Sequence, residues 1–344
     1  GKTQEPILRV AKSLGYVVIA VDRDPCAIGF KYSDVQINRS THDVDGIIKV
    51  LEQLVEKYKL EGVINLSAGP PVITTAIICD RYEIPFVPIS SAKIIINKDL
   101  LHDFCLGKRI IMPDYQVFSL KEKKRIESFD FPLVVKPGLS LIGKGGVTIV
   151  RNLNNFDKAI RYASEHTINN KFIIEKYLPG SDYSLVGFVN NGRYFPIIIL
   201  DELNKENIDG TVSRVGYKVH STMGNNKLLR SMEKITNNIA KELMIDSSPI
   251  ITAFRLDEEG VPNLIEIHLD LGGDHIVDEI LSRALPYNFI KLAINMSVGL
   301  CQPPKNKLIN PVGILFNDIG EGASREKGFK IISATSHDLL SEKI

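Results

Sequence analysis

Phe131-Pro132-Leu133-Val134-Val135-Lys136-Pro137 is followed along this chain by Ser140-Leu141-Ile142-Gly143-Lys144-Gly145-Gly146-Val147, and then by Glu175-Lys176-Tyr177-Leu178-Pro179-Gly180-Ser181-Asp182. The first piece reads as an apolar strand ending in an ammonium. The second is a glycine-rich turn whose backbone amides can approach a polyphosphate where a side chain would collide. The third reads as an extended segment whose main-chain donors and acceptors lie side by side, with Asp182 spaced to accept from ribose hydroxyls. Each piece alone is a weak signal. Many hairpins contain Gly-Lys-Gly-Gly, an ordinary edge strand explains Glu175 to Leu178, and Asp182 suits a Pro-Gly-Ser-Asp turn. In this order they read together as a nucleotide site.

The 344 residues are 44% apolar and 24% charged, enough for a large core and for two or three domains. Lys and Arg number 42 against 41 Asp and Glu, a formal charge of +1, so no global field recruits nucleic acid or an anionic membrane. Phosphate affinity must be local. Cys26, Cys79, Cys105 and Cys301 lack the spacing of a zinc site or a disulfide framework, and they are expected as small core or surface residues in a reducing, cytoplasmic setting. No apolar run approaches the roughly 20 residues of a membrane helix, and no charged-then-apolar leader opens the row. Gly1-Lys2-Thr3 stands without an initiator Met, so a first strand ahead of it is expected. The same three residues resemble the end of a Walker phosphate loop, but no upstream glycine stands in the sequence for it.

Working outward, Pro6 begins a helical pattern through Ile7, Leu8, Val10, Ala11 and Leu14 that stops at Gly15. A strand over 16–21, a helix near Val44 to Tyr58, a strand over 62–66, a helix near Val72 to Tyr82 and a strand from Ile84 predict a doubly wound parallel α/β domain over 1–91. A helix containing Lys98 leads into 92–170. Strand-like runs from residue 171 onward, an Asn191-Gly192 turn, a helix near 226–243 and a hairpin turned by Asp257 to Gly260 predict an antiparallel sheet over 171–302. Residues 303–344 are expected to add strands.

These segments resemble the ATP-grasp superfamily, particularly its carbamoyl-phosphate-synthetase-like and amino-acid-ligase-like members, over about Gln4 to Gly299. The resemblance implies an α/β and α+β architecture, in which the doubly wound domain precedes two α+β subdomains, 92–170 and 171–302, that clamp ATP. It implies that Lys98 and Lys136 touch the α and β phosphates, and that the loop with Ser140, Gly143, Lys144, Gly145 and Gly146 closes over the β and γ phosphates. Glu175, Lys176, Tyr177 and Leu178 would edge the adenine, the backbone of Lys176 and Leu178 making the hydrogen bonds, and Asp182 would hold the ribose.

At the metal end the chain departs from the family pattern. Leu264-Ile265-Glu266-Ile267-His268-Leu269-Asp270-Leu271-Gly272-Gly273-Asp274 resembles the Glu-x-Asn-x-Arg segment and its paired glycines. Glu266 fits as a Mg²⁺ ligand, whereas His268 stands in place of Asn and suits a softer ion such as Mn²⁺. Asp270 replaces the usual Arg, and Ala253 falls where a second acidic ligand is usual. With Glu266, His268 and Asp270 as the catalytic group, the implied reaction is an ADP-forming ligation of a small carboxylate to an amine through an acyl phosphate. Arg214, Lys218, His220 and Asp274 are the candidate substrate contacts; solvated-loop and helix-capping roles stay open for them. A nucleotide-binding module without turnover and a carboxyphosphate-forming enzyme are the alternatives. The resemblance also allows a homodimer.

Overall fold

The computed structural model describes residue 1 and residues 3–119, 130–140, 144–220, 227–271, 273–300, 309–317 and 328–344. Pro6 lies in the first turn of α1 (Glu5–Ser13), where its missing N–H leaves no helical bond unmade. β1 (Ile19–Asp22) and β2 (Val35–Asn38) pair in parallel. The Asp43 carboxylate then caps α2 (Val44–Leu54) by accepting from the Gly46 N–H at 3.0 Å. α3 (Pro71–Arg81), α4 (Ile89–Ile96) and α5 (Lys98–Lys108) follow.

Among the described residues the parallel sheet has two strands, and the expected strands at 62–66 and from Ile84 form no ladder. Short apolar runs pack as readily in buried loops as in strands, and periodicity cannot separate the two. Asn65 instead braces a distant part of the chain, accepting from the Leu271 N–H at 3.2 Å and donating from its amide to the Leu269 carbonyl at 3.1 Å. Cys79 and Cys105 are buried, Cys26 is exposed, and Cys301 lies outside the described residues.

β3 (Tyr115–Ser119), β4 (Leu133–Pro137), β5 (Thr148–Val150) and β6 (Lys171–Lys176) form a four-stranded antiparallel sheet in the order β3-β6-β4-β5, with α6 (Phe156–His166) between β5 and β6 in sequence. Leu133, Val135, Phe172 and Ile174 point to one face, into a core closed by Phe156, Ala159 and Ala163 of α6. Lys136 and Glu175 occupy the alternate positions and point to the other face.

β7 (Asp182–Asn190), β8 (Arg193–Glu206), β9 (Val212–Val219), β10 (Ser248–Leu256), β11 (Pro262–His268), β12 (Val312–Phe316) and β13 (Phe329–Ser333) make a seven-stranded sheet in the order β11-β10-β7-β8-β9-β12-β13. Asn191 and Gly192, both at positive φ, make the two-residue turn between β7 and β8. Along β7, Leu185 and Val189 enter one core with Leu229 and Met232 of α7 (Lys227–Glu242). Val186 and Phe188 enter a second core with Phe289 and Ala293 on the opposite face. Covered on both faces, β7 reads as a continuous apolar run.

Residues 171–176, grouped with the second subdomain in the sequence reading, pair with β3 and β4 instead, so the change from one sheet to the other falls at 177–181. The expected C-terminal strands are present and extend the larger sheet. Gly216 of β9 permits this: a Cβ there would collide with the Ile314 carbonyl oxygen of β12. Gly216→Ala should cost about 1–3 kcal/mol of stability. Hydrogen exchange should show the loss of protection concentrated in β12 and β13; uniform loss across the sheet would count against this packing.

Candidate active site

The first residue of α5, Lys98, is fixed by its N–H, which donates to the Gly138 carbonyl just beyond β4 at 3.0 Å. One turn on, His102 places Nδ1 at 2.6 Å from the Lys98 carbonyl and Nε2 at 2.6 Å from Glu175 Oε1. The same Glu175 oxygen contacts the Lys136 ammonium. Lys136 and Glu175 are each 3% exposed, so neither charge is shielded by water and each is the other's main compensation. Burial pushes the Glu175 carboxyl up, but the Lys136 ammonium and His102 outweigh it and hold it at about 2. Burial wins for Lys136, whose ammonium is pulled below its ordinary value.

The Lys98 ammonium lies 3.4 Å from Glu266 Oε2, which joins the helix before the small sheet to an edge strand of the large one. His268 Nε2 is 3.4 Å from the other Glu266 oxygen. Burial disfavours the Glu266 carboxylate, yet Lys98 and His268 carry it well below its usual range. For His268 burial again opposes the charge, and Glu266 overrides it upward. Strand β11 ends at His268, so Asp270 lies beyond the ladder, buried, and does not continue the strand face that carries Glu266 and His268. Among the described residues no three or more His, Cys, Asp or Glu side chains converge as a metal cage.

Cross-strand register places Asp182, Ser184, Glu202, Ala253, Arg255 and Glu266 on one face of the large sheet. Glu202 accepts from Ser184 Oγ and Arg214 Nη2, each at 2.6 Å, and lies 3.8 Å from Lys144 Nζ. Lys144 and Gly146 take positive φ in a tight turn, and a Cβ on Gly146 would stand 2.8 Å from His166 Cβ. The glycine is therefore required at this turn. Gly145 is buried and Ser140 half-buried, while Gly143 lies outside the described residues.

Between the sheets, Lys176 donates its N–H to the Asp114 carbonyl at 2.9 Å, and the Leu178 N–H makes no hydrogen bond among the described residues. A cavity of about 250 Å³ opens here, lined by Met112, Asp114, Lys176, Leu178, Asp257 and Asn263 among others. Asp182 Oδ2 accepts from Arg255 Nη1 at 2.6 Å and from Asn204 Nδ2 at 2.7 Å. Burial raises the Asp182 carboxyl, and Lys144 and Arg255 together bring it below its ordinary value.

The four candidate substrate residues divide. Arg214 shares the face of Glu202, donating from Nε to Asn204 Oδ1 at 2.7 Å, and Asp274 joins it through a 2.9 Å hydrogen bond from the Tyr217 hydroxyl. The Asp274 side chain does not cap the following helix. Lys218 and His220 gather on Asp201, at 3.6 and 2.5 Å, and alternation puts Asp201 on the face opposite Glu202. That geometry argues against a shared pocket for all four. His102, Glu202 and Arg255 were missed in the sequence; only the placing of charged residues within apolar strands signalled the last two.

Residues 129–278 match the family model of the ATP-grasp domain. A phosphoribosylamine–glycine ligase from Streptococcus pyogenes is 23% identical over 266 residues, 71% of this chain and 61% of that protein, so the chain spans less than two thirds of that relative. An L-amino acid ligase from Bacillus licheniformis superposes with a TM-score of 0.80 at 17% identity, covering 100% of this chain and 93% of the other. An N5-carboxyaminoimidazole synthetase from Staphylococcus aureus, in complex with ADP, gives 0.79 at 13% identity with the same two coverages.

The buried pair makes a pH prediction. Glu175 is ordinarily half-protonated near 4.5 and here near 2, so its contribution is present above about 4.5 and is lost as pH falls toward 2. Urea unfolding of the wild type and Glu175→Gln should differ by roughly 2–4 kcal/mol at neutral pH, and the gap should close through that acid window. A gap that is constant from pH 7 to pH 2.5 would show that the carboxylate charge does no such work.

Proposed function

We propose that this chain, which has the ATP-grasp fold and an ATP-grasp domain at residues 129–278, is an ATP-dependent, ADP-forming ligase that joins a small carboxylate to an amine. The observation that carries the reading is the meeting of Lys98 and Glu266, which brings the cations of the small sheet and the carboxylates of the large one to a single cleft. Phosphoryl transfer asks little covalent chemistry of a protein and much positioning and charge neutralisation.

In this reading Lys98 and Lys136 bind the α and β phosphates, and Lys144 with the glycine turn covers the β and γ phosphates. The unpaired Leu178 N–H donates to the base, and Asp182 accepts from the ribose. The 250 Å³ cavity beside the hinge suits part of a nucleotide, being below the range for a whole drug-sized ligand. Glu266 is the residue to hold Mg²⁺ or Mn²⁺ together with phosphate oxygens and water; a cage made by protein alone is not needed for such an ion. The metal supplies charge neutralisation. Arg214 and Asp274 line the acceptor side and orient the carboxylate and amine. Closing the glycine turn excludes water from a reactive acyl phosphate.

A binder without turnover remains the second reading, favoured by Ala253 and Asp270, which stand where the family pattern has an acid and an arginine. ADP release measured against pooled amino acids should require both a carboxylate and an amine, with Mg²⁺ or Mn²⁺ present. Lys136→Met should weaken ATP binding at least about tenfold by calorimetry, the loss of one charge-assisted contact. Tight ATP uptake with no ADP release under any pool would select the binder, and unaltered affinity in Lys136→Met would sink the nucleotide site itself.

A further inference from the structure

Arg255 lies near the end of β10, directly opposite Asp182 of β7 in the ladder. An ordinary cross-strand ion pair accounts for its Nη1 contact with Asp182 Oδ2 at 2.6 Å. It does not account for the rest of the guanidinium. Nε donates to the Leu178 carbonyl at 2.5 Å, outside any strand, and Nη2 reaches the Tyr177 hydroxyl at 3.3 Å while the guanidinium lies 5.2 Å from the Tyr177 ring centre. Three nitrogens of one planar group therefore hold Tyr177 and Leu178 of the segment that joins the two sheets, together with Asp182 at the start of β7.

Main chain reinforces the attachment. The Gly180 N–H donates to the Leu256 carbonyl at 3.0 Å, and the Leu256 N–H donates to the Ser181 carbonyl at 3.1 Å. Just beyond β5, Arg151, itself paired with Glu206 at 2.7 Å, also lies over the Tyr177 ring, 5.8 Å from its centre. Two guanidiniums thus reach Tyr177. Only the one on β10 also touches Asp182.

We infer that Arg255 is the positioning residue for nucleoside recognition, setting the hinge and the ribose-accepting carboxylate in one rigid relation. This rests on the ATP-binding reading above. With Oδ2 of Asp182 held by Arg255 and Asn204, the carboxylate cannot swing, and Oδ1 is left to accept from the sugar. Holding the Leu178 carbonyl fixes the peptide next to the Leu178 N–H in the same step. A lysine at 255 could not reproduce this, because an ammonium is a point charge with no fork to span a carbonyl and a carboxylate at once. Asp182, largely buried, would also lose its nearest compensating charge without Arg255, which favours its turning away from the cleft.

The test compares ATP with 2′,3′-dideoxy-ATP, which lacks the hydroxyls Asp182 would accept from, by calorimetry in Mg²⁺ on the whole chain. Wild type should prefer ATP by on the order of tenfold to a hundredfold, the worth of one or two hydrogen bonds to a charged group. In Arg255→Met the dissociation constant for ATP should rise by that factor, while that for the dideoxy nucleotide should change less than about threefold, so that the ratio approaches one. Equal weakening of both nucleotides, with the ratio retained, would overturn the inference and leave Arg255 a structural residue. Should the Met variant fail to fold, Arg255→Lys is read by the same ratio, with a value well below that of wild type supporting the inference and an unchanged one refuting it. Wild type that binds both nucleotides equally tightly would refute the ribose contact and this inference but not ATP binding; wild type that binds neither would refute the ATP reading itself.

Discussion

Like charges must be held together here with little water to shield them. Lys98, Lys136 and Lys144 approach one cleft, and each meets a glutamate from a different strand: Glu266, Glu175 and Glu202. Were the lysines unpaired, their mutual repulsion at low effective dielectric would open the cleft; permanently neutralised, they would have nothing to offer an anion. The distances grade the compromise. Lys136 is buried and in direct contact with its partner, the most tightly held of the three, while Lys144 stands 3.8 Å from its partner on a turn of positive φ, where an exchange of partners costs least.

Strand alternation does the arranging. In the small sheet one set of alternate residues builds the core under α6 and the other carries Lys136 and Glu175. In the large sheet the ladder carries Asp182, Glu202, Arg255 and Glu266 to one face, whose remaining length is apolar and packs beneath the Phe289–Ser297 helix. A one-residue slip in any of these strands would move an entire charged set into a core, so register and site are specified by the same pattern. The apolar cores lie away from the cleft, which leaves the cleft to the paired charges.

Much of this was readable along the chain. The lysine-terminated strand, the glycine turn and the hinge carry their signal in contiguous residues, because each uses local backbone geometry. The hairpins and the helix over Lys227 to Glu242 likewise follow from turn residues and period. Contacts made across the ladder were not readable: that Glu175 would be the partner of Lys136, that His102 would join them, or that Arg255 would face Asp182 depends on register between strands far apart in sequence. The separation of Lys218 and His220 from Arg214 was hidden for a related reason. Arg214, Lys218 and His220 share parity along the chain, but the shift in register between Leu203 and Asn204 moves Arg214 to the face of Glu202, while Lys218 stays opposite Asp201.

The departures from the family pattern are confined to one end of the large sheet and the chain just beyond it. Ala253, His268 and Asp270 lie toward β11 and its exit, whereas the residues that suit a nucleotide lie toward β7, β8 and the hinge. None of the three is a large member of either core, so the packing that fixes the fold places little demand on them. On the proposed reading, alanine at 253 and aspartate at 270, where the family pattern has an acid and an arginine, leave the residues assigned to the nucleotide unchanged. On that reading fold and chemistry are set by different residues, and the acceptor is to be sought at the end where Asn65 grips the strand exit.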